Sequence, residues 1–387
     1  MRVLIYSEAF APKIGGVETI VMLLAKGLTQ DASSPEHGFT EVTVVTHVGA
    51  DGMDDSQLPF RVVRKPNFTG LVRLLRHSDV IHLAGPCFVP LALGLLFRKP
   101  VVVEHHGFQA ICPNGQLLYD PAGAPCPGHF MAGRHRECLR CNAAQGKLRS
   151  LKMWLWTFPR RWLCQRAAAN ILPTEWLGTL LQLNRMATIP HGLSPASISA
   201  ITRVAPQVPT FAFLGRLVST KGSRTLLDAA QQLKAKGLAF RIKIIGQGPE
   251  REMLEQQARD LQIQDCVQFL GYIPIDQLQE SLADTTAVIM PSLAGEVFGL
   301  AAAENMQRGR TVIVSDIGAL AEVVGDAGIK FPPGDAVGLA RCMETVLANP
   351  LRAEELGRRG RERALRLFQS KGMIDAHATL YREIIRR

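Results

Sequence analysis

The sequence predicts an α/β protein made of two successive doubly wound units. Short apolar runs alternate along the chain with segments of helical spacing, the pattern of parallel strands covered by helices on both faces. The alternation restarts after Ser194–Pro209, a segment with three prolines and few helix or strand signals. The length, 387 residues, suits two or three domains.

The elements follow in order. Val3–Tyr6 reads as a buried strand, Ala9–Gly16 as a loop and Val17–Leu28 as a helix. Glu41–His47, Phe60–Lys65, Val80–Leu83 and Pro100–His105 are the next strands. In the second half, Thr210–Leu214 is a strand ending at Gly215-Arg216, and a helix runs from near Gly222 to Lys236. Arg241–Ile245 is a strand ending in Gly246–Pro249, with Pro249 suited to the first turn of a helix. Val267–Leu270, Ala287–Met290 and Thr311–Ser315 supply further strands. Ala353–Arg387 is helical in composition and strongly basic. In such open sheets ligands bind beyond the carboxyl ends of the strands, so the loops there are the places to search.

Composition excludes several classes. Hydrophobic residues at 47% and charged residues at 20% rule out a disordered chain, a coiled coil and a small disulfide scaffold. Lys and Arg number 44 against 34 Asp and Glu, a net charge of +10 that suits an anionic partner. Residues 1–200 hold 20 basic and 13 acidic side chains, net +7, leaving 24 and 21, net +3, for the rest. No stretch reaches the apolar length of a membrane span; the longest candidate, Phe88–Phe97, is too short. The opening Met-Arg-Val-Leu-Ile-Tyr runs into a strand with no signal-peptide layout. The expectation is a cytoplasmic protein, with peripheral contact at the inner face of the membrane left open.

Three loops carry chemistry. Gly15-Gly16-Val17-Glu18 opens the first helix, where two glycines permit close backbone approach and free N–H groups favour phosphate; a plain strand–helix turn is the alternative. The run lacks the Gly-x-Gly-x-x-Gly of a dinucleotide site. Gly215-Arg216-Leu-Val-Ser-Thr-Lys221-Gly222 sets two cations about a strand-to-helix turn, suited to a diphosphate leaving group whose charge grows as its bond breaks. Glu296-Val-Phe-Gly-Leu-Ala-Ala-Ala-Glu304 places one acid before a helix beginning near Gly299 and another in its second turn. The second carboxylate suits vicinal hydroxyls, and the N–H groups of Phe298, Gly299 and Leu300 face the same ligand. Either acid alone would be read as a favourable charge at a helix start.

Gly16, the Gly-Arg-Leu-x-x-x-Lys-Gly run and the Glu-x7-Glu pair resemble a family 4 retaining glycosyltransferase of the GT-B fold, over nearly the whole chain. The resemblance implies two Rossmann-like domains facing across a cleft. Residues 1–195 would bind the acceptor and carry a Cys-rich insertion at 107–145. Residues 205–368 would be the nucleotide-sugar-binding domain, of the glycosyl transferases group 1 type, and helix 369–387 would cross back to the first domain. Arg216 and Lys221 match the diphosphate pair, Glu296 the acid on the sugar hydroxyls, and Glu304 the acid on the ribose. Val297, Phe298, Gly299 and Leu300 match the stretch near sugar and phosphates. Gly15 and Gly16 match the turn that closes over the diphosphate, and Gly271-Tyr272-Ile273 the nucleobase side. His106, followed by Gly107, matches the active-site histidine beside the donor sugar, in preference to His105. The junction departs from the family's Pro-Asn-Gly-Val-Asp: this chain has Pro190-His191-Gly192-Leu193-Ser194. The implied reaction is metal-independent and retaining, needs no cofactor, and uses Arg216, Lys221, Glu296 and His106. A nucleotide-sugar epimerase on the same fold and a non-catalytic membrane-docking scaffold are the alternatives. A phosphorylase is disfavoured because no pyridoxal-phosphate lysine motif is evident.

Two features lie outside that frame. Cys112, Cys126, Cys138 and Cys141 cluster in sequence and end in Cys-Leu-Arg-Cys. They read either as a structural zinc or iron–sulfur centre or as reduced loop thiols. Lys147–Arg166 holds six basic residues, no acid, and three of the four tryptophans. It reads either as an interfacial segment serving a lipid-linked acceptor or as a helix with inward tryptophans, interrupted at Pro159. Nothing in the chain resembles a nucleic-acid module.

Overall fold

The computed structural model describes residues 1–31, 41–194 and 207–386. Most of the proline-rich junction, 195–206, lies outside the described residues. The chain forms two compact units. One comprises Met1–Gln116, Gly128–Ser194 and Phe368–Arg387; the other comprises Leu117–Pro127 and the described residues from 207 to Leu367.

The first unit is built on a parallel sheet. Its strands are β1 (Arg2–Ser7), β2 (Glu41–Thr46), β3 (Arg61–Arg64), β4 (Val80–Ala84) and β5 (Val101–Glu104). After a short antiparallel hairpin of β6 (Leu118–Tyr119) and β7 (Ala124–Pro125), which belongs to the second unit, come β8 (Ala169–Leu172) and β9 (Met186–Thr188). The order is β3-β2-β1-β4-β5-β8-β9. Val80–Ala84 and Val101–Glu104 are buried along their whole length, because helices cover both faces. The helix Ser370–Arg386 lies in this unit, with Ile374 so close to Gly27 that a Cβ there would stand 2.1 Å from Ile374 Cδ1.

The second unit repeats the logic with β10 (Thr210–Leu214), β11 (Arg241–Ile245), β12 (Val267–Gly271), β13 (Ala287–Met290), β14 (Thr311–Ser315) and β15 (Ile329–Phe331). The order is β12-β11-β10-β13-β14-β15, all parallel. Phe211, Phe213, Ile242, Ile244 and Ile289 pack its core with Leu226, Leu227 and Leu233 of the helix Ser223–Ala235.

Two local expectations change. Pro249 precedes its helix, Arg251–Asp260, because the Glu250 N–H is donated to the Leu217 carbonyl (3.1 Å) outside it. Pro159 lies inside an unbroken helix, Lys147–Cys164, instead of ending it. The packing of Trp154, Phe158, Phe130 and His135, with ring centroids 4.9–5.5 Å apart, offsets the missing backbone bond. The strands β8, β9 and β15, of three or four residues each, are too short to show a period in the sequence.

Candidate active site

In both sheets the strand order reverses between two central strands, and ligands sit beyond the carboxyl ends at such a reversal. In the second unit these strands are β10 and β13. Their following loops are joined backbone to backbone: Leu293 N–H donates to the Thr220 carbonyl at 2.8 Å. Gly222 has φ of 66°, and a Cβ there would lie 1.9 Å from the Pro291 carbonyl oxygen. Only glycine fits that turn.

This closeness brings Lys221 Nζ onto the Glu296 carboxylate, and Ser292 Oγ donates to the same Glu296 oxygen at 3.0 Å. Glu296 is 7% exposed, so its charge is held by these two partners. Helix Ser223–Ala235 starts directly after Gly222, and helix Leu300–Gln307 directly after Gly299. Gly299, with φ of 91°, is pressed against Leu320; a Cβ would stand 2.3 Å from its Cδ2. Both helix starts thus open near the Lys221–Glu296 pair, with positive dipole ends suited to an anion.

The other predicted residues of this unit lie on the same two loops and their helix, or at the end of β12. Arg216 is exposed just beyond β10. Val297 and Phe298 are buried, so their side chains are core and only their backbone is left for a ligand. Leu300 is half-buried. Glu304 is in the second helical turn, its Oε2 3.8 Å from Arg308 Nη1. Burial raises the Glu304 carboxyl, with Arg308 opposing the shift. Gly271 closes β12 with φ of 72°, Tyr272 is half exposed and Ile273 half-buried.

In the first unit the reversal lies between β1 and β4. A cavity of about 270 Å³ opens there, lined among others by Tyr6, Glu8, Cys87, Phe88, Gln109 and Arg160. Gly15 and Gly16 begin the helix Gly16–Asp31, and a Cβ on Gly15 would meet Glu18 Oε2 at 2.4 Å. Beyond β5 the two candidate histidines part. His105 is fully buried, with Nε2 2.9 Å from Asn170 Oδ1 of β8, and burial lowers it to about 4. His106 instead stacks on His191, centroids 5.1 Å apart, with Nε2 3.4 Å from Glu104 Oε2.

Glu104 is a residue the sequence reading missed. It is fully buried and faced by His82, His106, His191 and His377 at 3.1–3.8 Å. Burial pushes its carboxyl up, but the His106 charge and the His106, His377 and His82 side chains outweigh this and hold it well below the usual range. Burial and the His106 charge lower His191 to about 3. A glutamate ending an all-valine strand, and a histidine within Val-Ile-His-Leu of β4, were the available signals.

The remaining expectations concern the insertion and the basic helix. Cys112, Cys138 and Cys141 are buried in the first unit, Cys112 Sγ donating to Asn114 Oδ1 at 3.0 Å. Among the described residues they are not in the groups whose ligand atoms converge to metal-binding distance, which are histidine–glutamate groups. Cys126 is half-buried and belongs to the other unit. In Lys147–Cys164, Trp154 packs inward while Trp156 and Trp162 are 40% and 54% exposed. No described helix is long and apolar enough to cross a membrane.

Comparison with known proteins agrees with this architecture. Residues 197–363 match the family of glycosyl transferases group 1. The chain is 28% identical over 288 residues to a glycogen synthase of Mycobacterium tuberculosis, spanning 73% of this chain and 69% of that one. It is 33% identical over 188 residues to a phosphatidyl-myo-inositol mannosyltransferase of Mycolicibacterium smegmatis, 47% of this chain and 48% of that one. The solved structure of Anabaena HepE in complex with UDP superposes with a TM-score of 0.70 at 19% identity, covering 98% and 99% of the two chains, which shows a shared fold. Over residues 197–363 the chain is thus similar to the group 1 glycosyl transferases; its fold is the GT-B fold, and it is a glycosyltransferase.

Proposed function

We propose that the protein moves a sugar from a nucleotide-diphosphate sugar to an acceptor hydroxyl with retention of anomeric configuration and without a catalytic metal. The Lys221–Glu296–Ser292 set between two helix starts is the observation that carries this reading. A diphosphate entering the site takes Lys221 from Glu296, freeing that carboxylate to accept hydrogen bonds from sugar hydroxyls. Arg216 and the helix starts add positive charge where the leaving group develops negative charge. Glu304 accepts from the ribose hydroxyls, and Gly271–Ile273 flank the base. The bond from the anomeric carbon to the diphosphate breaks, the acceptor oxygen bonds that carbon on the same face, and the departing phosphate takes the acceptor proton.

The first unit supplies the acceptor side. The cavity holding Glu8 and Arg160 receives the acceptor hydroxyl and an anionic group beside it. Arg160 lies on the helix Lys147–Cys164, which exposes Leu148, Leu151, Leu155, Trp156, Phe158 and Trp162. Basic and apolar groups on one helix suit an anionic bilayer surface, so the acceptor is lipid-linked and the enzyme works on the inner face of the membrane. The identity of the mannosyltransferase relative, named for a phosphatidyl-inositol substrate, supports this choice.

A thermal-shift screen against UDP-, GDP- and ADP-sugars identifies the donor, since a ligand binding only the folded state raises its melting temperature. NMR of the product then reads the anomeric configuration, and added Mg²⁺ or Mn²⁺ leaves the rate unchanged. An inverted product rejects retention. Nucleotide sugar consumed without acceptor, with no nucleoside diphosphate released, points instead to an epimerase.

A further inference from the structure

The transfer reaction leaves one buried polar cluster of the first unit without a task. His82 of β4, Glu104 at the end of β5 and His377 of the helix Ser370–Arg386 are all fully buried. His82 Nε2 lies 3.1 Å and His377 Nε2 3.8 Å from Glu104 Oε2. Neither nitrogen, nor either Glu104 oxygen, has a hydrogen-bond partner. One ligand atom from each of the three residues lies within 4.8 Å of the other two.

The tautomer of His377 sharpens this. Its Nδ1 is 2.8 Å from the Met373 carbonyl oxygen. A carbonyl only accepts, so Nδ1 carries a proton, and with a single proton on the ring the Nε2 lone pair faces the carboxylate. Two lone pairs facing each other in a dry core repel unless a cation lies between them. His82 Nδ1 lies 2.8 Å from the Tyr381 hydroxyl, one helical turn beyond His377, a contact that fixes the direction of the ring with either of its nitrogens protonated. Ring nitrogens anchored in this way leave the opposite nitrogen aimed as a metal ligand.

We propose that His82 Nε2, His377 Nε2 and a Glu104 carboxylate oxygen bind one divalent transition-metal cation, with zinc the best match. Metal–nitrogen bonds of about 2.0–2.1 Å in a tetrahedral site space the ligand atoms roughly 3.3 Å apart. The observed 3.1 and 3.8 Å bracket that spacing. Two imidazoles and one carboxylate form a borderline donor set, which disfavours magnesium and calcium. His106 Nε2, 3.4 Å from the same Glu104 oxygen, or a water completes the site. The cation ties the C-terminal helix to β4 and β5 beneath His106. This role goes beyond the transfer reaction and is separate from the cysteine insertion.

The test is the metal content of the full chain purified without chelator. About one equivalent of metal is expected, lost in His377→Gln and His82→Gln and retained in Cys138→Ser/Cys141→Ser. Loss in the cysteine variant alone overturns the assignment. Should the histidine variants fail to fold, Co²⁺ added to metal-free Cys138→Ser/Cys141→Ser protein keeps the question open to measurement. Tetrahedral visible bands without thiolate charge transfer support the site. Absence of any Co²⁺ spectrum leaves a metal-free imidazolium–carboxylate cluster and ends the proposal.

Discussion

The two units share one strand order about their central strands, β3-β2-β1-β4-β5 in the first and β12-β11-β10-β13-β14 in the second, yet treat charge at the carboxyl ends in opposite ways. The first turns it inward: Glu104 is fully buried among histidines. The second keeps it reachable: Lys221, its side chain 27% exposed, holds Glu296 beside two helix starts. Topology therefore fixes where polar groups gather, and the side chains decide whether they anchor the fold or meet a ligand.

Four substitutions break or sharpen that contrast. The largest effect on folding is expected from Glu104→Ala, which removes the buried carboxylate that four histidines face. It should cost about 3–5 kcal/mol in urea unfolding. A loss below about 0.5 kcal/mol would show that the inward cluster is not an anchor. Lys221→Ala or Glu296→Ala should lower kcat about 10²–10³-fold, roughly 2.7–4 kcal/mol, while circular dichroism stays native. Wild-type turnover in either variant removes the donor assignment. Gly222→Ala meets both a φ of 66° and the Pro291 oxygen. It should destabilise by about 1–3 kcal/mol and weaken nucleotide-sugar binding, read by denaturation and calorimetry. An unchanged Kd would separate the turn from the site.

The smallest effect on stability belongs to Leu151→Ser with Trp162→Ser on the exposed face of the basic helix. Unfolding should move by no more than about 0.5 kcal/mol. Binding to anionic vesicles should fall at least about tenfold, since each large apolar side chain contributes roughly 1.5–3 kcal/mol when buried. Unchanged vesicle binding rejects the membrane surface, and a large loss of stability means these side chains are core.

Much of the second unit was legible in the sequence. Thr210–Leu214, Gly222, Glu296 and Glu304 are local signals: a strand, a turn glycine and two acids at a helix start, each readable within a few residues. The pairing of Lys221 with Glu296 across 75 positions was not, because it depends on Gly222 lying against the Pro291 carbonyl. The helix through Pro159 escapes sequence reasoning for a similar reason, since local propensity is outweighed by Phe130, from a separate segment, packing on Phe158 beside Trp154 of the helix itself.

The two histidines after β5 mark the dividing line. Composition, alternation of strands and helices, and the spacing of glycines, cations and acids are properties of neighbours along the chain, and they were enough for the fold class and the donor-side motifs. That His105 is sealed against Asn170 while His106 stacks on His191 depends on residues 65 and more positions away. The same holds for His82, Glu104 and His377, which come from two strands and the last helix. A buried charge is tolerated only where partners from distant segments arrive together, and that convergence exists only once the chain is folded.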